Sequence, residues 1–391
     1  MNKSGKKINR RQFIKTSAMA MAAAGMGSNL LLPRSSYAKT PQVNFAYILS
    51  DHHAPIMLLC KKWELFQGKY RTYLKPVAEN KIYDFYYDDQ LIARLKLIPT
   101  KRGPDVQKLV AQGSVDMGIS GTQAIMMSVD QGVNTRLSNP LQSAGNVFVL
   151  KKDLPMNNWP EFIKAVKGKG GQFRIGIPGP ATVAAIILTS ALKAEGVTFS
   201  EDRADKNADV LLVNMKGHGN VTPGMVNGLT QGLVAAQPFP ALAVSQGVGK
   251  FILNLQDVPG GQWKGHACCS AEVVDGFAQK NRDLVVKVTE LLVLGAKEAN
   301  LDPNLTAQAS SAWLGVTPEV EKMALPGMDF LTTPTEQWSR SIYVYAKTMD
   351  EMGMFNGRLK GKRGEELNKL LFDFQYLNEA KKNLKEKKFI G

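Results

Sequence analysis

The chain has 391 residues and a formal net charge of +15, with 44% hydrophobic and 21% charged residues. This length exceeds what one hydrophobic core usually serves and predicts two domains, while the composition is that of an ordinary globular protein. Because the sequence contains no run of about eighteen apolar residues, it predicts no stable membrane span.

The first 38 residues are predicted to be an export signal. They contain no acidic residue, start with a basic region, continue as a weakly apolar run rich in Ala, Met and Gly, and end in Ser36-Tyr37-Ala38, which has the small residues of a signal-peptidase site. Four positions match the twin-arginine (Tat) signal: Arg10, Arg11, Phe13 and Lys15. We therefore expect Tat export in the folded state, with the Tat translocase as partner, cleavage near Ala38 and a periplasmic mature protein. The alternative, an amphipathic first helix, is disfavoured by glycines within the run.

The charge of the mature chain is lower than that of the whole sequence. Residues 1–38 carry seven Lys and Arg and no acid, so removing them takes the net charge from +15 to +8. This mild excess has no dense basic stripe interleaved with aromatic residues, so no nucleic-acid partner is predicted. A weak positive field would instead help to collect anionic solutes.

Strand and helix patterns alternate along the mature chain. The first series consists of a strand at 43–49, a helix at 56–68, a strand at 94–98, a helix from Pro104, and strands at 115–119, 134–139 and 146–150. The second consists of a strand at 173–177, a helix at 183–195 and strands at 210–215 and 251–255. Helices follow at 284–299, from a capping box at Thr333-Pro334-Thr335-Glu336 with Pro in the first turn to about 352, and at 367–377. Residues 70–90 fit neither pattern and are interpreted as an insertion or a broken helix. This order predicts parallel βαβ units with right-handed crossovers.

Two stretches of the chain, Pro104–Ala124 and Pro223–Ala243, share an internal spacing. In both, a Gly (Gly113, Gly232) follows nine positions after the Pro and a Val follows two positions later. Pro suits a first helical turn and Gly suits the position after the last one. We therefore predict that each stretch forms a helix, then a buried strand, then a loop, at corresponding places in two similar lobes.

Ligands of open parallel sheets bind at the carboxyl ends of strands, beside helix N-termini that favour anionic oxygens. Four such loops are predicted, two from each lobe: 50–54, 120–123, 180–183 and 237–239. The candidate ligand-binding residues are Ser50, Asp51, His52, His53, Ser120, Gly121, Thr122, Gln123, Pro180, Ala181, Thr182, Gln237, Phe239 and His266. The alternative role of each Ser or Thr is simple N-capping of a helix.

Three stretches carry a resemblance to a known family: 109–118 (LVAQGSVDMG), 228–249 (GLTQGLVAAQPFPALAVSQGVG) and 265–269 (GHACC). They resemble periplasmic substrate-binding proteins of ABC importers, in the branch for nitrate, alkanesulfonates, taurine and thiamine-precursor pyrimidines. The resemblance covers the mature chain. It implies a two-lobed, type II-like periplasmic binding protein of the α/β class, in which each lobe is a mostly parallel sheet flanked by helices. The ligand would lie in the cleft between the lobes, and an inner-membrane ABC permease would be the partner of a monomeric protein.

The predicted domain limits follow from this organisation. Lobe I takes residues 39–150, lobe II residues 151–250, and residues 251–391 return to lobe I and add the C-terminal helices. One departure from the family pattern bears on the ligand: Ala235 and Gln237 replace an Asp and a Glu that are frequent there. Loss of cleft carboxylates favours a neutral or anionic ligand over a cation. The bound solute is therefore expected to be small and of the nitrate, sulfonate or carboxylate type.

Other classes of function remain open at this level. The sequence lacks a G-x-S-x-G elbow, a P-loop and H-E-x-x-H, so neither an enzyme nor a cofactor is predicted. Cys268-Cys269 resembles the cysteine-rich segment of fungal thiamine-pyrimidine synthases, but two buried thiols are the simpler interpretation. A His/Cys cluster could bind zinc or copper, and folding before Tat export would suit such a site. No histidine pair has a ligand spacing, however, so no metal is predicted. A periplasmic sensor subunit is the remaining alternative.

Overall fold

The computed structural model describes residues 40–391, so the predicted signal segment and its cleavage site near Ala38 lie outside the described residues. The strands of this part are β1 (Gln42–Ile48), β2 (Thr72–Ala78), β3 (Ile82–Tyr87), β4 (Gln90–Thr100), β5 (Met117–Gly121), β6 (Thr135–Ala144), β7 (Asn146–Lys151), β8 (Phe173–Ile177), β9 (Phe199–Ser200), β10 (Val210–Asn214), β11 (Gly232–Ala236), β12 (Gly249–Asn254), β13 (Ala267–Val274) and β14 (Met328–Phe330).

Helices cover the faces of two sheets formed by these strands. The α-helices are α1 (Ala54–Lys61), α2 (Trp63–Tyr70), α3 (Gly103–Ala111), α4 (Thr122–Asp130), α5 (Trp159–Val166), α6 (Val183–Ala194), α7 (Val221–Val226), α8 (Phe239–Ser245), α9 (Asp275–Lys280), α10 (Arg282–Leu301), α11 (Pro303–Leu314), α12 (Pro318–Ala324), α13 (Glu336–Glu351), α14 (Gly364–Leu371) and α15 (Gln375–Glu386). Between Thr40 and Gly391, none of them is both long and apolar enough to cross a membrane.

The first sheet has eight strands in the order β14-β6-β13-β5-β1-β4-β3-β2. Its centre is parallel, since β1 pairs in parallel with β4 and β5, whereas the outer pairs are antiparallel. Residues 70–90, for which an insertion or a broken helix was the expectation, instead form strands of an antiparallel meander, β2-β3-β4. Stacking of Tyr73 on Tyr86 across β2 and β3 explains the tyrosine-rich composition, because cross-strand aromatic pairs stabilise sheets.

The second sheet has six strands in the order β12-β7-β11-β8-β10-β9. Its centre has the same arrangement as the centre of the first sheet. Strand β8 lies parallel between β10 and β11, as β1 lies between β4 and β5. The next strand is antiparallel in both sheets: β7 beside β11 in the second, and β13 beside β5 in the first. The α/β class with helix-flanked sheets is thus confirmed. Both sheets are mixed, and the expectation of a mostly parallel sheet is wrong for the first one, where five of the seven strand pairs are antiparallel because a meander and β13, β6 and β14 flank the parallel centre.

The spacing shared by Pro104–Ala124 and Pro223–Ala243 identifies equivalent strands in the two sheets, but its glycines are not equivalent. Gly113 follows α3 with φ +67°, as predicted, whereas Gly232 lies inside β11. The glycine that follows the second helix is Gly228, with φ +72°. The prediction that Gly232 ends that helix is therefore wrong, although β5 and β11 do hold corresponding positions in their sheets.

The chain passes between the two sheets at two places. Ala144, Gly145 and Asn146 join β6 of the first sheet to β7 of the second, and residues 255–266 lead back from β12 to β13. The first passage lies a few residues before the limit of 150 expected from the sequence, because β7 pairs with β11 and β12. Both passages end beside the space between the lobes.

The C-terminal helices pack behind the first sheet. Helix α13 has Thr335 as its N-cap, whose side chain accepts a hydrogen bond from the Trp338 N–H. The expected capping box has Thr333 as N-cap and Pro334 in the first turn, so the predicted start is wrong by two residues. The single helices expected at 56–68 and 367–377 are each two helices, α1 with α2 and α14 with α15.

Candidate functional site

A small closed cavity lies between the lobes at the carboxyl ends of the central strands. Its volume is about 20 Å³, close to what one water molecule requires. Both lobes and the first passage line it: Ile48, Ser50, His52, Gly103, Gly121, Gln123, Asn146, Thr182, Val183, His218, Ala236, Cys268 and Cys269. Strands β1 and β5 end at the cavity on one side and β8 and β11 on the other. The cleft is therefore closed in this structure.

Three helices begin at the cavity wall. Gly103 is the first residue of α3, Gly121 precedes α4, and Thr182 is the N-cap of α6. Helix N-termini present unpaired N–H groups and the positive end of the helix dipole. Among the described residues no Lys or Arg lines the cavity. Backbone dipoles and imidazoles therefore supply the positive potential.

The most polar part of the wall is a cluster around Cys268. The Nδ1 atom of His52 lies 3.2 Å from Cys268 Sγ and 3.8 Å from Cys269 Sγ, and the two sulfurs are 4.0 Å apart. Asn146 donates an amide N–H to Cys268 Sγ at 3.1 Å. His52 Nε2 lies 2.9 Å from the carbonyl oxygen of Gly145. The first passage between the lobes thus holds both the histidine and the thiol.

The side chains of this cluster shift one another's pKa values. Burial opposes ionisation of Cys268, but the hydrogen bond from Cys269 and the imidazole of His52 outweigh it and bring the pKa of the Cys268 thiol well below its ordinary value. Burial and Cys268 together raise the pKa of the Cys269 thiol. Burial lowers the pKa of His52, but the charge of Cys268 outweighs it and the net pKa is raised. The arrangement favours a Cys268 thiolate paired with a protonated His52.

Two further histidines beside the cavity are neutral. Burial, and then the charge of His52, lower the pKa of both His53 and His218 to about 3. In each, Nδ1 accepts a backbone N–H: His53 from Ile48 and His218 from Ala236. These rings position the ends of β1 and β11 and add no charge to the site.

Hydrogen bonds join the lobes around the cavity. The amide of Gln123 on α4 donates to the carbonyl oxygen of Ala181 in the β8–α6 loop at 3.0 Å, and the N–H of Asp51 donates to the carbonyl oxygen of Gln237 at 3.0 Å. The Gln237 N–H in turn donates to the carbonyl oxygen of Gly145. Separation of the lobes would break the first two of these bonds, which therefore stabilise the closed form.

A carboxyl pair lies next to this contact. Asp51 and Glu321 are both fully buried, and no N–H or O–H group of residues 40–391 hydrogen-bonds to either carboxylate. Burial, and then the neighbouring Glu321, raise the pKa of Asp51 well above its usual range, and burial raises that of Glu321 to about 7. At least one of the two carboxyls is therefore protonated near neutral pH.

The structure separates the sequence-predicted candidates into two groups. Those that line the cavity are Ser50, His52, Gly121, Gln123 and Thr182. Those outside its lining are Asp51, His53, Ser120, Thr122, Pro180, Ala181, Gln237, Phe239 and His266. Most residues of the second group hydrogen-bond to neighbouring protein groups. Thr122 Oγ1, for example, shares a hydrogen bond with Ser270 Oγ on β13.

Gln237 and Phe239 are two predicted site residues that lie outside the cavity lining. The Gln237 Oε1 atom accepts the N–H of Ala241 at 3.0 Å and so caps the start of α8. Phe239 stacks on His218 and lines a separate, larger groove of about 280 Å³ together with Lys101 and Trp313. Neither side chain lines the closed cavity.

Sequence reasoning missed Gly103, Asn146, Cys268 and Cys269 as cavity residues. The cysteines were interpreted as two buried thiols of the core. On a regular strand, neighbours point to opposite faces, so both could not reach one cavity. Strand β13 is not regular at this place, since its pairing with β6 shifts on both sides of Cys269. Such irregularities redirect side chains near functional sites, but the pattern of apolar residues carries no sign of them.

Solved structures of periplasmic binding proteins share this fold. The periplasmic nitrate-binding protein of Synechocystis PCC 6803 has a TM-score of 0.65 at 12% identity, over 88% of this chain and 89% of that one. The aliphatic sulphonate-binding protein of Escherichia coli has a TM-score of 0.59 at 12% identity, over 86% and 93%. A ligand-binding component of an ABC-type import system from Staphylococcus aureus, with zinc bound, has a TM-score of 0.65 at 15% identity, over 87% and 99%. The chain thus has the periplasmic-binding-protein fold.

The family assignment is more specific than the fold. The NMT1-like family matches residues 36–314, and the chain belongs to this family. An uncharacterised protein of Methanocaldococcus jannaschii is 30% identical over 101 residues, which are 26% of this chain and 70% of that protein. The twin-arginine signal sequence matches residues 7–27, which confirms the predicted Tat signal and the export of the chain to the periplasm.

Proposed function

We propose that the protein is the solute-binding component of an ABC-type importer, which captures a small solute between its lobes and presents the closed form to a membrane permease. The observation that carries the proposal is the cavity that both lobes line at the carboxyl ends of β1, β5, β8 and β11. In sheets of this kind, ligands bind at that edge. Binding between lobes that close on a hinge is a recurrent device of such proteins.

The chemistry of the wall supports a compact, electron-rich solute. The N-termini of α3, α4 and α6 surround the cavity, and helix N-termini favour anionic oxygens. The Cys268 thiolate occupies part of the same positive field. The cavity has room for about one water molecule here, so a nitrate or sulfonate group would be held by a closed form slightly wider than this one, in which the hydrogen bonds between the lobes persist. We infer a monomeric receptor without catalytic activity.

Binding is tested with purified mature protein in a thermal-shift screen of nitrate, taurine, short alkanesulfonates, carboxylates and pyrimidines. A solute present at about a hundredfold its dissociation constant should stabilise the folded form by about 2.7 kcal/mol. Isothermal titration then measures affinity and stoichiometry for every solute that raises the melting temperature. If a well-folded protein responds to none of these solutes, the proposed class of ligand is rejected.

Replacing Gln123 with Ala should weaken the binding of any solute found in this screen about 3- to 10-fold, because the closed form loses the hydrogen bond to Ala181 at a cost of about 1 kcal/mol. The matched control is Gln172→Ala, which removes side-chain-to-backbone bonds within the second lobe. Titration calorimetry of both variants makes the comparison. Equal affinities would mean that Gln123 does not contribute to closure.

A further inference from the structure

The His52, Cys268 and Cys269 side chains form the strongest unassigned feature of the molecule. Their nitrogen and sulfur atoms all lie within 4.8 Å of one another, and all three residues are buried. Imidazole nitrogen and thiolate sulfur are the ligands that zinc prefers in proteins. We propose that these residues bind a divalent thiophilic metal ion of the zinc type. This goes beyond the proposed solute-binding function and does not depend on which solute is imported.

The distances fit such an ion. Bonds of about 2.3 Å to sulfur and about 2.0 Å to nitrogen, at angles between tetrahedral and trigonal, place the sulfurs about 3.8–4.0 Å apart and the nitrogen about 3.5–3.7 Å from each. The observed separations are 4.0 Å between the sulfurs, and 3.8 Å and 3.2 Å from His52 Nδ1 to Cys269 and Cys268. A small rotation of the Cys268 side chain would bring the shortest one into range.

The strand is shaped so that both thiols face the histidine. Adjacent residues of a regular strand point to opposite sides. The pairing of β13 with β6 shifts between Ala267 and Cys269 and again between Cys269 and Ser270, and both thiols line the same cavity. Two adjacent cysteines can act as a pair of ligands only where a strand is distorted in this way.

The Gly145 carbonyl and the Asn146 amide hydrogen-bond to His52 and Cys268, and such groups commonly orient the ligands of a metal site. In its neutral form, His52 donates its Nε2–H to the carbonyl oxygen of Gly145, which leaves the Nδ1 lone pair directed at the sulfurs. The Asn146 amide donates to Cys268 Sγ. Histidine ligands usually donate their second N–H to a backbone carbonyl or carboxylate, and such partners fix the tautomer and orientation of the ring.

A second buried imidazole lies beside the cluster. His266 is fully buried and comes two residues before Cys268, where the second passage enters β13. Its Nδ1 is 2.9 Å from the carbonyl oxygen of Trp263, while its Nε2 has no hydrogen-bond partner among residues 40–391. A buried nitrogen without a partner is costly. The start of β13 thus holds one more buried nitrogen that no group of the described residues satisfies.

Charge selects the class of ion. A dication bound to two thiolates and a neutral imidazole has no net charge, which matters because His52, Cys268 and Cys269 are at most 3% exposed and an unbalanced buried charge is costly. Soft sulfur ligands disfavour magnesium and calcium, which prefer oxygen. The remaining coordination position would face the cavity, which has room for a water molecule or one solute atom.

The test uses reduced, metal-stripped mature protein, loaded with Zn²⁺ alone under anaerobic conditions and then dialysed. One zinc ion per chain is expected by elemental analysis, and substitution with Co²⁺ should give thiolate-to-metal charge-transfer absorption. Cys268→Ser and Cys269→Ser should abolish retention, and Asn146→Ala should weaken zinc binding about 10- to 100-fold. Cys60→Ser is the matched control, because Cys60 is a buried free thiol on α1 outside the cavity lining, and it should bind zinc like the wild type.

The outcomes separate this inference from the proposed function. Failure of the reduced wild type to retain zinc would overturn it, as would equal retention by the Cys268 and Cys269 variants, or retention of Cu⁺ but not Zn²⁺. Folding of each variant is checked by circular dichroism without metal. Solute binding in the thermal-shift screen without zinc retention would reject the metal site and leave the importer proposal standing. Zinc retention without any solute response would support the metal site and reject the proposed class of solute.

Discussion

Replacing Gly145 with Ala is expected to lower the free energy of unfolding by about 2–4 kcal/mol. The residue has φ +75°, a conformation that costs an L-residue about 1–2 kcal/mol. In addition, a Cβ atom would lie 2.7 Å from His52 Nε2 and 2.9 Å from Gln142 Nε2. Neither neighbour can move freely, because His52 is bonded to the Gly145 carbonyl and Gln142 to two carbonyls of its own strand. The methyl group would therefore push His52 away from the thiols as well.

Gly247→Ala provides the matched control for this substitution. Gly247 has nearly the same backbone conformation, φ +71°, but a Cβ atom there would meet nothing within 4 Å. It should cost only the conformational term, about 1 kcal/mol. Urea unfolding of both variants measures the difference, and absorption of the Co²⁺-loaded protein reports on His52. Equal destabilisation by the two substitutions would show that the close approach at Gly145 does not constrain the molecule.

Much of the fold follows from local signals in the sequence. Buried strands read as short apolar runs, so 43–49 and 173–177 match β1 and β8 closely. The capping signal indicated α13 but placed its start two residues before the observed N-cap, Thr335. Strand β4 was expected at 94–98, whereas β2 and β3 were not recognised, because only one face of β3 is fully buried, at Tyr83 and Phe85, and Asp84 lies between those two residues. In such a strand, pairing with its neighbours rather than its own periodicity decides the structure.

The site was predictable only in part, and for a physical reason. Strand ends and helix N-termini are local features, so Ser50, Gly121 and Thr182 could be placed at the cavity from sequence. The contact of His52 with Cys268 joins residues 216 positions apart and depends on the distorted strand β13. No local pattern encodes either condition. The search for histidine ligand spacings therefore could not find the cluster.

Glu272 gives the second large expected effect, because it is a carboxyl group with no exposure to solvent. It lies on β13, where it accepts hydrogen bonds from the Gln107 amide and the Thr135 hydroxyl. Burial raises its pKa to about 7 despite these bonds. The native protein therefore keeps a proton on Glu272 at pH values at which the unfolded chain, with an ordinary Glu pKa near 4.5, has already lost it.

Glu272→Gln should therefore change the dependence of stability on pH. Because the folded-state pKa is raised, the wild type loses stability as the pH rises from 4.5 through 7, by about 3 kcal/mol in total for this group. The variant cannot ionise, and the amide of Gln107 can turn so that its unpaired oxygen accepts the new N–H. Urea unfolding should thus find the variant close to the wild type at pH 5 and more stable by up to about 3 kcal/mol at pH 8. The exposed Glu365→Gln serves as the control and should follow the wild type at both values. A variant that loses stability between pH 5 and pH 8 as steeply as the wild type would assign the raised proton affinity to another buried acid, such as Glu321.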